Sequence, residues 1–334
     1  MQENVHWLQT ALQLKGSVIR ITYPRILCFM GLAVGIAWLN GKHFINHDLE
    51  ITLSSLPTNV IYNLVLGLLL VFRTNAAYDR FWEGRKAWGS LIINLRILAR
   101  EITLHHHFKS QIKDQIQDQT QDQTEEQTDR AVNLPNQSLV ITWLKLIAIS
   151  TKHHLRSESL VEHITDSSNN IPIGSDLKDL GLNLDELGKC PHPPLQITLW
   201  LSQYCHQQHQ ANYIDTTRLT QLQSYLDQLI TGITCCERIR DTPLPVAYTI
   251  LLRRLTLLYC GLIPFSLVEN LSYWTVLVTG LIAFVLLGVE ALAAEIENPF
   301  GYDDNDLALD DFCRNVSTNI DQITQTNLNH SISN

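Results

Sequence analysis

The sequence predicts an all-α membrane protein with four transmembrane helices and a helical cytoplasmic domain. Mean hydropathy is zero over 334 residues, yet the apolar residues are gathered into separate blocks. One block, residues 56–72, passes without a turn signal into a polar, aromatic-rich segment that ends at Glu101. Two further apolar blocks lie near the N-terminus and after Pro245. Such segregation is typical of a chain that crosses a bilayer several times.

Residues 56–101 are predicted to form one helix. After Pro57 the next proline is Pro135, and the apolar residues between them keep a helical spacing. At about 1.5 Å per residue this helix would be roughly 69 Å long, more than twice a hydrocarbon core of about 30 Å. We therefore expect the helix to cross the membrane and to continue into water.

Three segments carry a resemblance to a known family. The polar half of the long helix reads FRTNAAYDRFWEGRKAWG, with arginines and aromatic residues interleaved. The segments PLPVAYTILLRRLTLLYCGLIPFSLVENLSYWT and EIENPFGYDDNDLALDDFCRN follow it. All three resemble signature segments of the bestrophins, pentameric ion channels, and lie in that family's order. The resemblance implies a homopentamer around a central pore that passively conducts small anions such as chloride.

The charge distribution predicts the orientation of the chain. The segments before the first span and after the second are rich in arginine, whereas the link 40–55 holds a single lysine. The positive-inside rule therefore places both termini on the cytoplasmic side of the membrane. The membrane itself is expected to be the cell inner membrane or an internal membrane. The predicted organisation is a cytoplasmic N-terminal helix in 1–20, transmembrane helices 1 and 2 in 21–72, a cytoplasmic helical domain in 73–242, transmembrane helices 3 and 4 in 243–294, and a cytoplasmic C-terminal segment in 295–334.

The cytoplasmic domain contains an insertion and a long loop. Residues 109–135 are rich in repeated Asp-Gln units and too poor in apolar residues to form a core, so we interpret them as a mobile insertion. Helices are expected at 139–155, 197–208 and 217–240, with a loop at 157–194. The histidines are interpreted as solvated groups rather than metal ligands, both in the run His105 to His107 and in the pair His206 and His209.

Polar residues within the spans need partners. Asn59 and Asn63 are one helical turn apart, which favours a hydrogen bond to another helix over direct contact with an ion. Arg253 and Arg254 interrupt the third span and are expected at the interface or facing the protein interior. The fourth span contains one acid, Glu290, near its cytoplasmic end.

The resemblance implies a hydrophobic neck on the second span, lined by three side chains one turn apart. An alignment anchored on the proline at the start of the span gives the preferred set, Leu56, Val60 and Leu64. An alignment anchored on the arginine at its end shifts the set by one residue, toward Ile61 and Val65. The alternative is that this aliphatic stripe only packs against neighbouring helices.

The resemblance also implies a second constriction at the cytoplasmic exit. The matching positions lie at the start of a helix near Asp215 and are Thr216, Thr217 and Arg218. A ring of Arg218 side chains would attract anions. The alternative is an ordinary ion pair between Arg218 and Asp215.

Oxygen-bearing side chains cluster in the final signature segment. In animal bestrophins the matching segment holds Ca²⁺, which prefers six to eight oxygen ligands. The matching positions here are Glu295, Asn298, Asp303 and Asp306. The alternative is that Asn305 or Asp306 caps the helix that follows. No other cofactor is expected.

Composition limits the other functions. A net charge of −9 and a pI near 5.8 argue against a general nucleic-acid binder. Seven cysteines without a CxxC pair argue against a disulfide scaffold or a cysteine zinc site, and they are expected to be reduced and buried.

A sodium channel of the same fold is the nearer rival to an anion channel. A membrane-anchored enzyme is a distant rival, because the sequence contains no nucleophile–base pair and no phosphate-binding loop. The chain is therefore not expected to be an enzyme.

Overall fold

The computed structural model describes residues 16–41, 55, 57–119, 137–165 and 184–332. Predictions for residues 1–15, most of the link 40–55, Leu56, residues 120–135 and residues 166–183 lie outside this range. Within it, every regular element is helical, as predicted. The helices are α1 (Ile19–Gly41), α2 (Val60–Gln119), α3 (Gln137–Leu155), α4 (Leu160–Thr165), α5 (Leu184–Lys189), α6 (Pro193–Gln210), α7 (Thr216–Asp241), α8 (Val246–Leu271), α9 (Thr275–Ile296) and α10 (Leu309–Ile332).

The long helix α2 is continuous from Val60 to Gln119, a span of 60 residues. At about 1.5 Å per residue it is roughly 90 Å long. It starts where the side-chain oxygen of Asn59 accepts a hydrogen bond from the backbone N–H of Ile61 at 2.9 Å, and it contains no proline. It ends later than the predicted Glu101, so residues 109–119, assigned from composition to an insertion, continue the helix.

The described residues form two compact units. The first, called the apolar unit, comprises residues 1–83 and 241–306 and contains α1, the start of α2, α8 and α9. The second, called the polar unit, comprises residues 84–240 and 307–334 and contains the rest of α2, α3 to α7 and α10. These boundaries differ from the predicted segmentation, which was drawn at the expected membrane surfaces.

In the apolar unit, α1 packs against α8 and α9 through small residues. Ala33, Ala283 and Gly280 are buried. A Cβ atom at Gly280 would lie 2.9 Å from the Sδ atom of Met30, so this glycine allows the close approach of α1 and α9. Small residues commonly bring membrane helices together in this way.

Three segments are long and apolar enough to cross a membrane, namely Ile19–Gly41, Val60–His105 and Val246–Ile296, counted over the residues described. The last has 51 residues and contains both α8 and α9, joined by a 3₁₀ turn at Ser272–Trp274. Ser272 has φ 47°, a left-handed conformation that ends α8. The turn lies within the segment 243–294 predicted to hold transmembrane helices 3 and 4.

The polar unit has the core of a soluble helical protein. Trp88, Leu91 and Leu95 of α2 are fully buried, as are Leu144 of α3 and Leu229 of α7. On α7, a Cβ atom at Gly232 would lie 3.6 Å from the carbonyl oxygen of Ala87, so α2 and α7 pack closely. Trp88 of the aromatic-rich segment is thus buried within the same chain, whereas Tyr78 and Trp82 stay about half exposed.

The loop predicted at residues 157–194 is wrong in three places. The short helices α4 and α5 lie within it, and α6 begins at Pro193 rather than at residue 197. The signal for the early start of α6 was present in the sequence Cys-Pro-His-Pro-Pro, because proline is favoured in the first turn of a helix. The side chain of His192 caps this helix by accepting from the N–H of Leu195 at 3.2 Å.

Candidate functional site

The candidate neck lies on the exposed face of the first turns of α2. Val60 is 79% exposed, Ile61 72% and Leu64 61%, whereas Leu66 and Leu70 on the opposite face are buried within the apolar unit. The described residues of both predicted registers lie on the exposed face, at 100° steps around the helix. Val60 and Leu64 line one edge of it, and Ile61 and Val65 line the other. Leu56 is outside the described residues, so the register stays a prediction.

The two asparagines before and within this turn bind their own helix. Asn59 caps α2, and the amide nitrogen of Asn63 donates to the carbonyl oxygen of Pro57 at 2.9 Å. The predicted hydrogen bond to another helix is therefore wrong. The reason is that α2 starts at Val60, which leaves backbone groups at the helix start that nearby polar side chains can bind.

Arg73 lies at the centre of a buried polar cluster in the apolar unit. Its side chain is 1% exposed. Its Nη1 donates to the hydroxyl of Thr249 at 2.8 Å, and its Nη2 donates to a carboxylate oxygen of Glu297 at 3.3 Å. The Nε of Arg80 donates to the backbone carbonyl of Glu297 at 3.0 Å. Glu297 therefore holds two arginines of the signature segment.

Sequence reasoning missed this partner. Glu297 lies 224 residues from Arg73 in the chain, and in the sequence it stands out only as part of the third signature segment. One signal could have indicated it. An arginine buried at the end of an apolar helix needs an acidic partner, so the acidic residues near the ends of the other spans were candidates. Arg73 and Arg80 thus form contacts within the same chain.

The charged residues predicted inside the third and fourth spans pair with each other. The Nε of Arg253 donates to a carboxylate oxygen of Glu290 at 2.8 Å, and the same oxygen lies 3.9 Å from Nη2 of Arg73. Glu290 is buried, whereas the side chain of Arg253 is half-exposed. Pairing lowers the cost of these charges in an apolar region.

The predicted cytoplasmic aperture lies at the start of α7 in the polar unit. Thr216 and Thr217 are exposed, and Arg218 is partly exposed. The carboxylate of Asp215 accepts from the backbone N–H of Arg218 at 3.0 Å, so Asp215 is the N-cap of α7. The role of these residues in a constriction stays a prediction.

The oxygen-rich cluster forms a tight turn. The N–H of Asp303 donates to the carboxylate of Asp306 at 2.8 Å, and the N–H of Asp306 donates to the carbonyl of Asp303 at 3.0 Å. A Cβ atom at Gly301 would lie 2.6 Å from that carboxylate, so a larger residue there would displace the Asp306 side chain. The amide of Asn305 donates to Glu295 at 2.6 Å, and the N–H of Asn298 donates to the carbonyl of Glu295 at 3.2 Å.

Three acidic residues of this turn also border a cavity. Glu295, Asp303 and Asp304 line about 750 Å³ of space together with Arg20. The Asp304 carboxylate accepts from the N–H of Gly16 at 2.9 Å. The carboxylates could hold a cation, and the positive charge of Arg20 opposes it.

Capping does not explain this cluster. Helix α10 begins at Leu309, and its first backbone acceptor is Ala308, which accepts from the N–H of Phe312 at 3.1 Å. The interpretation of Asn305 or Asp306 as the N-cap is therefore wrong, because two residues separate Asp306 from the helix start.

The histidines and cysteines singled out above have ordinary partners. His105 is buried, with Nε2 3.4 Å from the Gln208 side-chain oxygen, so its interpretation as a solvated group is wrong. The Nδ1 of His209 lies 2.9 Å from the carbonyl oxygen of Ile214. The side chains of residues 106 and 107 lie outside the described set.

All seven cysteines are free of disulfide bonds, but Cys28 is exposed, so the prediction that all are buried is wrong. Burial raises the pKa of Cys205 to about 12, which keeps that thiol protonated.

Comparison with known proteins decides the family. A model of the bacterial and fungal bestrophin family matches residues 1–322. The chain belongs to the bestrophin family. This bestrophin is an integral membrane protein, in agreement with its three apolar segments.

Two relatives and one solved structure show the extent of the similarity. A voltage-dependent anion channel-forming protein of Nostoc sp. is 42% identical over 327 residues, covering 97% of this chain and 94% of the relative. A second voltage-dependent anion channel-forming protein, from Synechocystis sp., is 36% identical over 328 residues, covering 98% of this chain and 94% of the relative. A mutant bacterial bestrophin homologue from Klebsiella pneumoniae has a TM-score of 0.70 at 26% identity, covering 92% of this chain and all of the other.

Proposed function

We propose that this bestrophin forms a homopentameric channel that passively conducts chloride or other small anions across a bilayer. Each subunit would cross the membrane four times, through α1, the first part of α2, α8 and α9, with both termini in the cytoplasm. The proposal takes α8 and α9 as separate spans because Ser272–Trp274 interrupts the 51-residue apolar segment between them. The protein would act as a channel and not as an enzyme.

The observation that carries the proposal is the exposed aliphatic face at the start of α2. Val60, Ile61 and Leu64 are each more than half exposed, whereas polar groups near Arg73 are paired inside the unit. A continuous helix with one aliphatic face and one packed face can line a pore when several copies surround an axis. A hydrophobic constriction of this kind gates ions by excluding water.

The experiment that tests selectivity is a planar-bilayer recording of the purified protein. With a tenfold gradient of potassium chloride, an anion channel reverses near the chloride equilibrium potential. Reversal near the potassium potential would instead indicate a cation channel on the same fold, and sodium chloride solutions would test the sodium alternative directly. Absence of current after confirmed reconstitution would contradict both channel readings.

Paired double variants test the neck register. Val60→Ala with Leu64→Ala should raise single-channel current, because each truncation widens the constriction and weakens its exclusion of water. Ile61→Ala with Val65→Ala removes aliphatic side chains from the other edge of the same face, so it is the matched control. A change confined to the control pair would move the neck to the second register, and no change in either would remove the neck from these turns. Leu56→Ala, added to the first pair, extends the test to the third proposed position.

The cytoplasmic aperture and the acidic turn are tested in the same recordings. Arg218→Gln should lower anion current if Arg218 lines the exit, because it removes five positive charges from a pentamer. Thr216 and Thr217 should then tolerate serine. We propose Ca²⁺ as the ion for Glu295, Asn298, Asp303 and Asp306. A Ca²⁺-dependent change in open probability that Asp303→Asn abolishes would support it, and a Ca²⁺-independent current would contradict it.

A further inference from the structure

Two histidines and a glutamate meet in the polar unit, away from the predicted neck, aperture and acidic turn. His154 lies in the last turn of α3, His192 caps the start of α6, and Glu237 lies in the last turns of α7. The Nε2 atoms of His154 and His192 lie 2.7 Å and 2.6 Å from the same carboxylate oxygen of Glu237. The two ring centroids are 4.3 Å apart. Three elements that are distant in sequence therefore place their side chains around one point.

The three groups have the chemistry of a transition-metal site. Imidazole nitrogen and carboxylate oxygen are common zinc ligands, and two histidines with one glutamate can bind Zn²⁺ and leave a fourth position open. Their ligand atoms all lie within 4.8 Å of one another. With bonds of about 2.0–2.2 Å, two ligands of one tetrahedral ion are roughly 3.3 Å apart. Small side-chain rotations would therefore admit an ion between the three atoms.

A neighbouring cavity provides space for the ion and a fourth ligand. His154 lines this cavity, which has a volume of about 390 Å³. Glu158 and Arg240 bring one negative and one positive charge to the same cavity, and Glu158 lies 2.7 Å from Nδ1 of His153. The cavity is also lined by Cys190, whose thiol is not among the clustered ligand atoms. A water molecule in this space can thus occupy the open position.

The hydrogen bonds seen here also define the competing state. The Nδ1 of His192 accepts from the N–H of Leu195, so the ring proton lies on Nε2 and is donated to Glu237. A ring that binds metal through Nε2 carries its proton on Nδ1 instead. Metal binding therefore exchanges the capping hydrogen bond of α6 for a metal bond. The site is expected to bind zinc reversibly.

We propose that His154, His192 and Glu237 form a zinc site that joins the end of α3, the start of α6 and the end of α7. The site is independent of the neck and of the anion-channel proposal. The cysteine pattern of the sequence gave no indication of it, because its three protein ligands include no cysteine and are separated by 38 and 45 residues.

The test measures zinc binding to the purified full-length protein in detergent. After treatment with a chelator, the protein is titrated with Zn²⁺ in competition with a chromogenic zinc indicator, and bound metal per subunit is measured by mass spectrometry. Glu237→Gln keeps an oxygen that can accept both imidazole hydrogen bonds but removes the carboxylate charge. Loss of groups that merely support a metal ligand costs about 10–100-fold in affinity, so this variant should bind at least about 100-fold more weakly.

A matched control separates this site from surface histidines. His206 is exposed on α6 and away from the cluster, so His206→Gln should leave zinc affinity and stoichiometry unchanged. If Glu237→Gln does not fold, His192→Asn replaces it, because asparagine can cap α6 without supplying an imidazole. Equal zinc affinity in the native protein and in the folded ligand variant would overturn the proposal and leave the cluster as hydrogen bonds alone. Cobalt substitution adds a second readout, since strong visible bands report tetrahedral coordination and weak bands would contradict it.

Discussion

The two units of this bestrophin differ in where they put apolar and charged groups. The apolar unit leaves many large aliphatic side chains exposed, among them Leu64, Leu277 and Leu281, and buries the guanidinium of Arg73. The polar unit instead has a fully buried core that includes Trp88 and Leu95. It pairs the largely buried ammonium groups of Lys145 and Lys152 with the partly exposed carboxylates of Asp321 and Asp310.

This difference identifies the surroundings for which each unit is built. In water, exposed aliphatic side chains on this scale would be a liability, whereas in lipid they cost nothing. Charges follow the opposite rule, because water solvates an ion and hydrocarbon does not. The apolar unit must therefore pair its charges internally, and the polar unit can leave them at its surface.

The most severe way to break this contrast is to remove the buried guanidinium. Arg73→Leu would leave the carboxylates of Glu297 and Glu290 without their shared cation. Removing one partner of a buried ion pair costs about 3–5 kcal/mol, so we expect a marked fall in the unfolding temperature in detergent. Thermal unfolding followed by circular dichroism measures it.

A second substitution serves as the control for this effect. Glu297→Gln in the Arg73→Leu background removes one uncompensated charge and should recover part of the lost stability. A loss below about 1 kcal/mol for Arg73→Leu would show that water reaches the cluster and solvates the acids.

Paired leucine truncations sharpen the comparison further. Leu95 is fully buried in the polar unit, and Leu281 is 61% exposed in the apolar unit. Leu95→Ala should cost about 2–5 kcal/mol, because it removes buried surface and leaves a cavity. Leu281→Ala should change stability by no more than about 0.5 kcal/mol in detergent. Equal losses at the two sites would contradict the assignment of Leu281 to a lipid-facing or subunit-facing surface.

The elements of this fold follow largely from local sequence signals. The absence of proline after Pro57 predicted the unbroken α2, and Pro245 marked the start of α8. The end of α2 was misplaced because Asp-Gln repeats lack apolar residues, and composition of that kind does not exclude a helix that continues from a stable one. Helices α4 and α5 were missed because each has six residues, too few to show a period.

The contacts between distant residues did not follow from the sequence. Glu297 binds Arg73 and Arg80, and Glu237 lies against two histidines, yet none of these pairs has a spacing that marks it. The neck was located by resemblance alone. Helical periodicity identifies an aliphatic face, but it does not distinguish a face toward a pore from one toward lipid.

The smallest expected effect comes from surface charges of the polar unit. Asp310 lies 2.7 Å from Nζ of Lys152 and 3.2 Å from Nη1 of Arg156. Burial by itself raises the pKa of Asp310, but the hydrogen bonds and charges of these two cations outweigh it and lower the pKa below its ordinary value. The side chain is 58% exposed, so screening by water limits the contribution to at most about 1 kcal/mol.

The pH dependence of Asp310→Asn tests the origin of this contribution. A carboxylate with a lowered pKa in the folded state stabilises the fold above its unfolded pKa of about 3.9, and the stabilisation disappears as the pH falls through the folded value. The difference in unfolding free energy between native protein and variant should therefore be constant from about pH 8 to 5 and shrink below about pH 4.

Asp311→Asn is the matched control. Asp311 pairs with Arg314 on the same helix at 2.8 Å with both side chains mostly exposed, and it should cost less than about 0.5 kcal/mol. If both variants lose the same stability, the cations around Asp310 add nothing beyond an ordinary surface pair, and the charged surface of the polar unit is uniform in its energetics.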